Sequence, residues 1–325
     1  MSGPGSEATP APAYLENLTL TLALGAAEIP RQLRDDLASW LHRQQRPDGG
    51  FAGREGDSDP YYTAFGLRGL LVLGRLDEAV AAAAAHFLRG QLSTQQSVVD
   101  LVSLVFGAAM LELAAGQTVI PDDGPWRQRL AETLETLRTE DGGYAKTPEG
   151  RAGSSYQSFL TVLCLQLAGL PIPHPDRLGD FLLGQAHPDG GFLEIRAAKR
   201  AGVNPTAAAI GTLRCIDQLD RIDRQKTARF IASGQSDEGG LTANTRIPFA
   251  DLLSTFTGMW TLADLQRDAP DLSDEFDIQK ARRYALSMQN PEGGFNGFAL
   301  DSTADVEYTF YGIGTLALCP WGPHL

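Results

Sequence analysis

Carboxylates gather where several predicted helices begin, and in this chain they are the residues best suited to acid–base or metal chemistry. They are Asp57, Asp59, Asp251, Asp301, Asp305 and Glu307. Acids at helix starts usually bind free backbone amides and suit the helix dipole. If they cluster instead, burial and mutual repulsion can raise one pKa and create a general acid, or the group can bind Mg²⁺ for a diphosphate. The predicted catalytic carboxylates are Asp59, Asp251 and Asp305.

Aromatic residues lie in predicted helices, most of which begin with these carboxylates. Those predicted to bind substrate are Tyr61, Tyr62, Tyr156, Phe256, Trp260 and Tyr311. Aromatic residues in such helices mostly pack in a core, but a cavity wall built from them would present π faces that stabilise a carbocation. Small residues such as Ala207, Ala208 and Gly312 would leave room for an apolar chain between the helices.

Composition excludes several classes of protein. The net charge of −13 gives the chain no electrostatic reason to bind nucleic acid or an anionic membrane. Cys164, Cys215 and Cys319 are odd in number and widely spaced, so we expect no disulfide framework and a reducing, cytoplasmic location. The sequence begins without the pattern of a signal peptide, and no apolar stretch reaches the roughly 18 residues of a membrane span.

A glycine pair after an acidic residue recurs along the chain, beginning at Gly49, Gly142, Gly190, Gly239 and Gly293. These positions lie roughly 50 residues apart, except that the first gap is about twice as long, which indicates a decayed copy near residues 90–97. In each unit an amphipathic helix precedes the glycines and a nearly apolar helix follows them. Glycine is expected there because the end of a helix often needs a left-handed residue.

The repeats predict six helix pairs and no strands. The outer helices are expected at 30–45, 77–90, 124–138, 174–186, 221–233 and 274–289. The inner helices are expected at 60–74, 98–116, 154–168, 204–218, 249–265 and 304–318. We predict an all-α, α/α6 toroid over residues 13–325, with a further helix near 13–24 and a disordered tail at 1–12. An open solenoid is the alternative, but the last inner helix is as apolar as the first, which favours closure.

The repeats resemble those shared by protein prenyltransferase β subunits and squalene/terpene cyclases over about residues 30–318. The resemblance lies in "QQRPDGGF", "QAHPDGGF", "GQSDEGGL" and "MQNPEGGF". It is closest to geranylgeranyltransferase β subunits in "GGLTANTRIPFADLLSTFTGMWTL" and "DVEYTFYGIGTLAL". It implies a toroid whose central funnel holds a polyprenyl or terpenoid molecule, and an α-subunit-like helical partner.

The resemblance to prenyltransferases also implies a catalytic zinc site that this chain does not keep. The aspartate ligand of that family falls on Asp251, its cysteine on Leu253 and its histidine on Tyr308. Leucine cannot bind zinc, and tyrosine is a poor substitute for imidazole. We therefore expect no tightly bound zinc, and Tyr308 is retained only as a predicted catalytic residue.

The diphosphate-binding residues of the prenyltransferases are also displaced. Their arginine and lysine fall near Thr245 and Pro248, and Arg246 lies one residue out of register. Arg246 is predicted to bind substrate, and Mg²⁺ is expected only in company with a diphosphate.

The cyclase branch implies a different acid, the central aspartate of a D-x-D-D motif. "DSDPYYTA" aligns with that motif so that Asp59 takes the first position and Tyr61 and Tyr62 take the last two. Three interpretations follow: a prenyltransferase-like protein acting on or binding a polyprenyl chain, a class II terpene cyclase-like enzyme with a displaced aspartate, and a non-catalytic toroid that binds an isoprenoid or a partner.

Overall fold

The chain folds into helices joined by tight turns. The computed structural model describes residues 13–93, 97–121, 125–267 and 275–321, so the predicted tail at 1–12 lies outside the described residues. The α-helices in these residues are α1 (Tyr14–Ala26), α2 (Arg31–Gln44), α3 (Pro60–Val72), α4 (Glu78–Gln91), α5 (Val98–Ala115), α6 (Trp126–Glu135), α7 (Ser155–Leu167), α8 (Pro175–Leu183), α9 (Val203–Cys215), α10 (Arg224–Ser233), α11 (Leu252–Gln266), α12 (Ile278–Ser287) and α13 (Val306–Ala317). Within those ranges the only extended pairings are isolated bridges, as the sequence predicted.

Six helices form an inner ring, and the ring is closed. The members are α3, α5, α7, α9, α11 and α13. Each packs against the next, and α13 packs back against α3. Because each inner helix has neighbours on several sides, at least half of its residues are buried, and α13 buries most of its residues. The predicted α/α toroid is confirmed, and the open solenoid is wrong.

The outer helices pack against the outside of this ring and bury one face. Helices α2, α4, α8, α10 and α12 contact α3, α5, α9, α11 and α13, respectively. Several are shorter than predicted, because the glycine turn takes over the last residues of the amphipathic pattern. The predicted helix at 174–186, for instance, is observed as Pro175–Leu183. The predicted ranges 124–138 and 274–289 each begin at a residue outside the described part of the chain.

The first glycine of each pair lies where its turn touches a neighbouring outer helix. Gly49 has φ +90°, and a Cβ atom there would lie 2.2 Å from the carbonyl oxygen of Ala83 in α4. Gly293 has φ +104°, and its Cβ would lie 2.5 Å from Cδ1 of Trp40 in α2. The last turn therefore packs on the first outer helix, so the ring closes on its outer side as well. The predicted left-handed conformation is observed, and the close approach is a second reason for glycine.

A hydroxyl group in the first turn of an inner helix holds each glycine turn in place. The backbone N–H after the glycine pair donates to it in five repeats: Phe51 to Thr63 (3.0 Å), Tyr144 to Ser158 (3.0 Å), Phe192 to Thr206 (2.9 Å), Leu241 to Thr255 (2.9 Å) and Phe295 to Thr309 (3.0 Å). These hydrogen bonds are buried, so each one satisfies an amide that water cannot reach.

Replacing Thr255 with valine should lower the free energy of unfolding by about 1–3 kcal/mol, because the Leu241 N–H would lose its buried partner. Thr161→Val is the matched control. Thr161 is also fully buried on an inner helix, but its hydroxyl has no hydrogen-bond partner among the described residues. The Thr161→Val substitution should leave the free energy of unfolding unchanged or raise it. Urea unfolding measures both variants, and equal losses would contradict the role given to Thr255.

Helix α1 lies across one end of the ring. It packs against α3, α7 and α13. The Tyr14 N–H donates to Oε1 of Gln166 at the end of α7 (3.2 Å), and Gly25 lies against the carbonyl of Ala317 at the end of α13. Both contacts are made at the C-terminal ends of inner helices. Helix α1 therefore covers the end of the ring opposite to the predicted carboxylates.

Helix α5 is long and apolar enough to cross a membrane by length and composition alone. It is the one such helix among the described residues, although it contains Asp100 and Glu112. It packs between α3 and α7 as a member of the inner ring. Its apolar character is accounted for by that position.

Candidate active site

The three predicted catalytic aspartates cap inner helices at the open end of the ring. Their Oδ1 atoms accept backbone N–H groups: Asp59 from Tyr62 (2.7 Å), Asp251 from Ser254 (2.7 Å) and Asp305 from Tyr308 (2.8 Å). Burial raises the pKa of Asp59 and of Asp251, and these hydrogen bonds lower it only in part. The arrangement is that of ordinary capping residues, and a catalytic role for the three stays a prediction.

Arg54 joins two carboxylates at the same end of the ring. Its Nε donates to Oδ2 of Asp305 at 2.8 Å, and its Nη1 donates to Oδ1 of Asp301 at 3.0 Å. Burial opposes the ionisation of Asp301, but hydrogen bonds from Arg54 and from backbone amides outweigh it and hold its pKa below the usual range. Asp301 therefore stays ionised and paired with Arg54, which makes it unsuitable as a proton donor.

Two adjoining chambers lie inside the ring. The upper chamber, of about 310 Å³, is the nearer to the open end and is lined by Glu194, Asn204 and Glu307, among others. The lower chamber, of about 180 Å³, reaches α1, where Tyr14 and Leu18 form part of its wall. Residues that line both chambers are Tyr61, Tyr156, Phe159, Ala207, Leu253, Thr257 and Tyr311. This shared wall makes the two chambers one continuous, largely apolar space.

The structure brings together five of the residues predicted to bind substrate. Tyr61, Tyr156 and Tyr311 line both chambers, and Phe256 and Trp260 line the lower one. The Phe256 and Tyr311 rings are 5.6 Å apart between centroids. Nε1 of Trp260 donates to the Tyr14 hydroxyl at 2.7 Å, which fixes the indole beside α1. The predicted aromatic wall is thus present as a feature of the cavity.

The other predicted site residues lie outside the chambers. Tyr62 and Tyr308 border the outer mouth, a surface depression of about 480 Å³ that is also lined by Arg54, Asp305 and Glu307. Arg246 is exposed in the loop before α11, where its backbone N–H donates to Oδ1 of Asn244. Arg246 was predicted to bind substrate only because it lies one residue from the position of the diphosphate-binding arginine of the prenyltransferases.

Glu307 lies where the outer mouth meets the upper chamber, because it lines both. Its Oε1 accepts the Tyr61 hydroxyl at 2.7 Å and the Tyr311 hydroxyl at 3.2 Å. Burial raises the pKa of Glu307, the two tyrosine hydrogen bonds lower it in part, and nearby Asp305 raises it. This carboxyl therefore holds a proton more readily than an ordinary glutamate, and it holds it beside an aromatic cavity. The sequence placed Glu307 among the acids at helix starts but gave it no separate role.

Two further residues on the chamber walls were missed. Arg68 lies in the lower chamber and is the only charged residue of α3, a signal visible in "PYYTAFGLRGLLV". Glu194 lies in the upper chamber, where the Ser154 hydroxyl donates to it. Burial raises the pKa of Glu194, and that hydrogen bond lowers it in part. Glu194 precedes an inner helix by nine residues, so no helix-start pattern marks it.

No group of three or more His, Cys, Asp or Glu residues is arranged to hold a metal ion within the described ranges. Leu253, which takes the place of the cysteine ligand, contributes to both chamber walls. Arg54 lies over the ring of Tyr308, 5.7 Å from its centroid. The expectation of no tightly bound zinc stays a prediction.

The family model of the prenyltransferase alpha-alpha toroid domain matches residues 14–169 and 90–321 of the chain. This chain belongs to the prenyltransferase alpha-alpha toroid family. The matched residues contain all six inner helices and both chambers. The resemblance found in the glycine repeats is therefore confirmed.

The sequence of this chain is similar to that of a curated protein, drimenyl diphosphate synthase from Streptantibioticus cattleyicolor. It is 27% identical over 227 residues, which are 67% of this chain and 41% of that protein. The toroid protein described here thus spans about two-fifths of the length of that relative.

Solved structures from both branches of the family share the fold. Candida albicans protein geranylgeranyltransferase-I complexed with GGPP has a TM-score of 0.66 and 15% identity, covering 88% of this chain and 91% of that chain. A variant of the type II terpene cyclase MstE from Scytonema, in complex with geranylgeranyl dihydroxybenzoate, has a TM-score of 0.61 and 12% identity, covering 94% and 99%. At these identities the likeness establishes the toroid and leaves its chemistry to the residues of the site.

Proposed function

We propose that this toroid protein binds a polyprenyl chain in its two chambers and begins a reaction on it by proton transfer from Glu307. The observation that carries the proposal is the position of this carboxyl. It has a raised pKa, accepts hydrogen bonds from Tyr61 and Tyr311, and borders both an aromatic cavity and the solvent-facing mouth. A general acid needs that combination of a held proton, access to the substrate and a route for reprotonation.

In the proposed step the O–H bond of protonated Glu307 breaks and a C–H bond forms at one carbon of a substrate alkene. The π electron pair makes the new bond, so the other alkene carbon becomes a carbocation and Glu307 becomes a carboxylate. Ring closure or rearrangement follows, and loss of a proton from carbon removes the positive charge of the carbocation. Glu307 then regains a proton from solvent through the outer mouth.

The surrounding residues favour each stage of this step. The hydroxyls of Tyr61 and Tyr311 stabilise the carboxylate that the transfer leaves behind. The rings of Phe256 and Trp260 present π faces that stabilise a positive charge on carbon. The largely apolar walls keep out water, which would otherwise capture the carbocation. The displaced acid of the cyclase-like interpretation is thus a glutamate on the last inner helix instead of an aspartate.

Prenyl transfer to a thiol is less well supported by the same residues. Leu253 and Tyr308 stand where zinc ligands would be needed, and zinc activates the thiol in that chemistry. We propose that the protein works without tightly bound zinc, and that Mg²⁺ is recruited only by a substrate with a diphosphate group. A helical partner subunit also stays a prediction.

The relatives support an isoprenoid substrate. By name they are a drimenyl diphosphate synthase, a protein geranylgeranyltransferase and a type II terpene cyclase. We place the protein in the cytoplasm, where its free Cys164, Cys215 and Cys319 would stay reduced.

The test is incubation of the purified protein with farnesyl and geranylgeranyl substrates in D₂O, each as the alcohol and as the diphosphate with and without Mg²⁺. We expect a product with one deuterium on carbon for each initiating proton transfer, detected by mass spectrometry. Calorimetric titration of the same compounds measures binding in parallel. Binding without deuterium incorporation would favour the non-catalytic toroid, and absence of binding would remove the isoprenoid proposal.

A further inference from the structure

Arg68 is a half-buried cation on the wall of the lower chamber. Residues 61, 65 and 68 recur at helical spacing, so Tyr61, Phe65 and Arg68 share the inner face of α3, and all three line the chamber. The Arg68 guanidinium lies over aromatic rings, with its Cζ 4.0 Å from the centroid of Phe310 and 5.0 Å from that of Phe106. Seven residues of helix place it roughly 10 Å below Tyr61 along the axis of the ring.

This guanidinium has no anionic partner in the part of the chain that the structure describes. No hydrogen bond or ion pair joins the Arg68 side chain to any other residue that the structure describes, and its buried Nε donor is unsatisfied. By contrast, the Arg54 guanidinium at the mouth binds two carboxylates. Burial lowers the pKa of Arg68 to about 10, so it remains charged at neutral pH.

A half-buried cation that no described residue neutralises is costly unless something else in the functional state compensates it. Aromatic faces recover only part of the hydration that a guanidinium loses. A buried donor left without a partner carries a further penalty. Both costs fall if an oxyanion enters the chamber, because the planar fork of arginine matches carboxylate and phosphate oxygens.

We propose that Arg68 binds the anionic head group of the substrate, whose oxygens are those of a carboxylate or a phosphate, inside the lower chamber. This inference rests on the proposed isoprenoid function and adds the class and orientation of the substrate. The head group lies toward α1 and an alkene of the chain lies beside Glu307. Ser103 also lines the lower chamber.

The proposed head group also removes a conflict within the reaction. A carbocation formed in the cavity would be repelled by the bare charge of Arg68, and repulsion between like charges is strong where water is excluded. An anion paired with Arg68 neutralises that charge before the proton transfer occurs. Anion binding and carbocation formation are therefore compatible in one cavity, whereas an uncharged substrate would leave Arg68 opposing the reaction.

The experiment compares the full-length wild type with Arg68→Leu, Arg68→Lys and Arg31→Leu by calorimetric titration. The ligands, in farnesyl and geranylgeranyl lengths, are the alcohol, the carboxylic acid and the diphosphate. Arg31→Leu is the matched control, because it removes the same charge from the outer surface, where the Arg31 side chain is 85% exposed.

We expect Arg68→Leu to weaken binding of at least one anionic ligand by about 10- to 100-fold and to leave binding of the alcohol unchanged or tighter. The acid and the diphosphate distinguish the two sources of oxyanion. Arg68→Lys should keep most of the anion affinity, and it carries the test if the leucine variant fails to fold. Equal weakening of alcohol and anion, or no change in anion binding, would overturn the role of Arg68 while leaving the isoprenoid proposal intact. Binding of none of the ligands by the wild type would overturn both.

Discussion

Replacing Glu307 with glutamine should lower turnover of an isoprenoid substrate by roughly 10³-fold while leaving its binding within about threefold. The amide is close to the carboxyl in size and can still accept the Tyr61 and Tyr311 hydroxyls, so the chamber wall is preserved. What the variant lacks is the acidic proton that begins the proposed reaction. Deuterium incorporation from D₂O, measured against calorimetric affinity, separates the loss of chemistry from a loss of binding.

The control for this variant is Asp223→Asn. Asp223 caps the outer helix α10, where it accepts the Lys226 N–H at 2.9 Å, so its substitution removes the same charge away from the chambers. We expect its turnover to match that of the wild type. If Glu307→Gln keeps its turnover and Asp251→Asn or Asp59→Asn loses it, the aspartates predicted from the sequence are the acids and Glu307 is not.

The pH dependence of turnover is an independent test of the role of Glu307. Only protonated Glu307 can donate, so activity should be present below its folded-state pKa and should fall as the pH rises through that value. Because burial raises this pKa, the decline should occur above the usual range of a glutamate. Tyr61→Phe removes a hydrogen bond that lowers the pKa, so the decline should move to higher pH while the maximal rate falls. A decline at the position of an exposed glutamate would contradict this assignment.

The raised pKa of Glu307 also makes the stability of the folded protein depend on pH. A carboxyl whose pKa is higher in the folded than in the unfolded protein makes the protein less stable as the pH rises between the two values. Glu307→Gln removes that titration, so its stability should equal or exceed that of the wild type at neutral pH. This outcome would exclude misfolding as the cause of lost turnover.

Helices and turns could be predicted from the sequence because their signals are local. The glycine pairs and the alternation of amphipathic and apolar segments marked each repeat, and the apolar "VEYTFYGIGTLA" of α13 identified an inner helix correctly. Helix ends were less accurate, because the glycine turn competes with the last turn of the outer helix. Even the ring closure was indicated, since an end helix that is apolar on all sides needs neighbours on all sides.

The candidate site could be predicted only in part, because it depends on contacts between distant repeats. Tyr61 and Glu307 are 246 residues apart, and no spacing rule joins them before the ring closes. Helix α1 was expected, but its place across the end of the ring follows from contacts with α7 and α13. The acids at helix starts were the visible candidates, and at Asp59, Asp251 and Asp305 the ordinary capping arrangement is what the structure contains.

Arg68 was conspicuous in the sequence, but its importance could be recognised only in the folded protein. One arginine in an otherwise uncharged helix was present in the sequence, but apolar helices often end in a basic residue that reaches solvent. Its significance depends on two facts of the fold: it lines the cavity, and no described residue pairs with it. A charge inside a buried pattern is therefore informative only once the position of its partners is known.

Gly49→Ala should produce the largest loss of stability among the substitutions considered, about 3–5 kcal/mol in the free energy of unfolding. Two costs combine at this position. With φ at +90°, any residue with a Cβ atom is strained, at about 1–2 kcal/mol. The new Cβ would also lie 2.2 Å from the carbonyl oxygen and 2.6 Å from the carbonyl carbon of Ala83, which are backbone atoms of α4 and cannot rotate away.

Gly56→Ala separates these two costs. Gly56 also has φ +90°, but nothing lies within 4 Å of the position where its Cβ would be, so only the conformational cost of about 1–2 kcal/mol should appear. The difference between the two variants in urea unfolding then measures the close approach of the turn to α4. If Gly49→Ala loses no more stability than Gly56→Ala, the glycine pairs are required for their backbone conformation alone. If it loses about 2 kcal/mol more, the contact with the next outer helix is a separate requirement. That requirement would recur at Gly190 and Gly239, whose Cβ atoms would meet the carbonyl oxygens of Lys226 and Lys280.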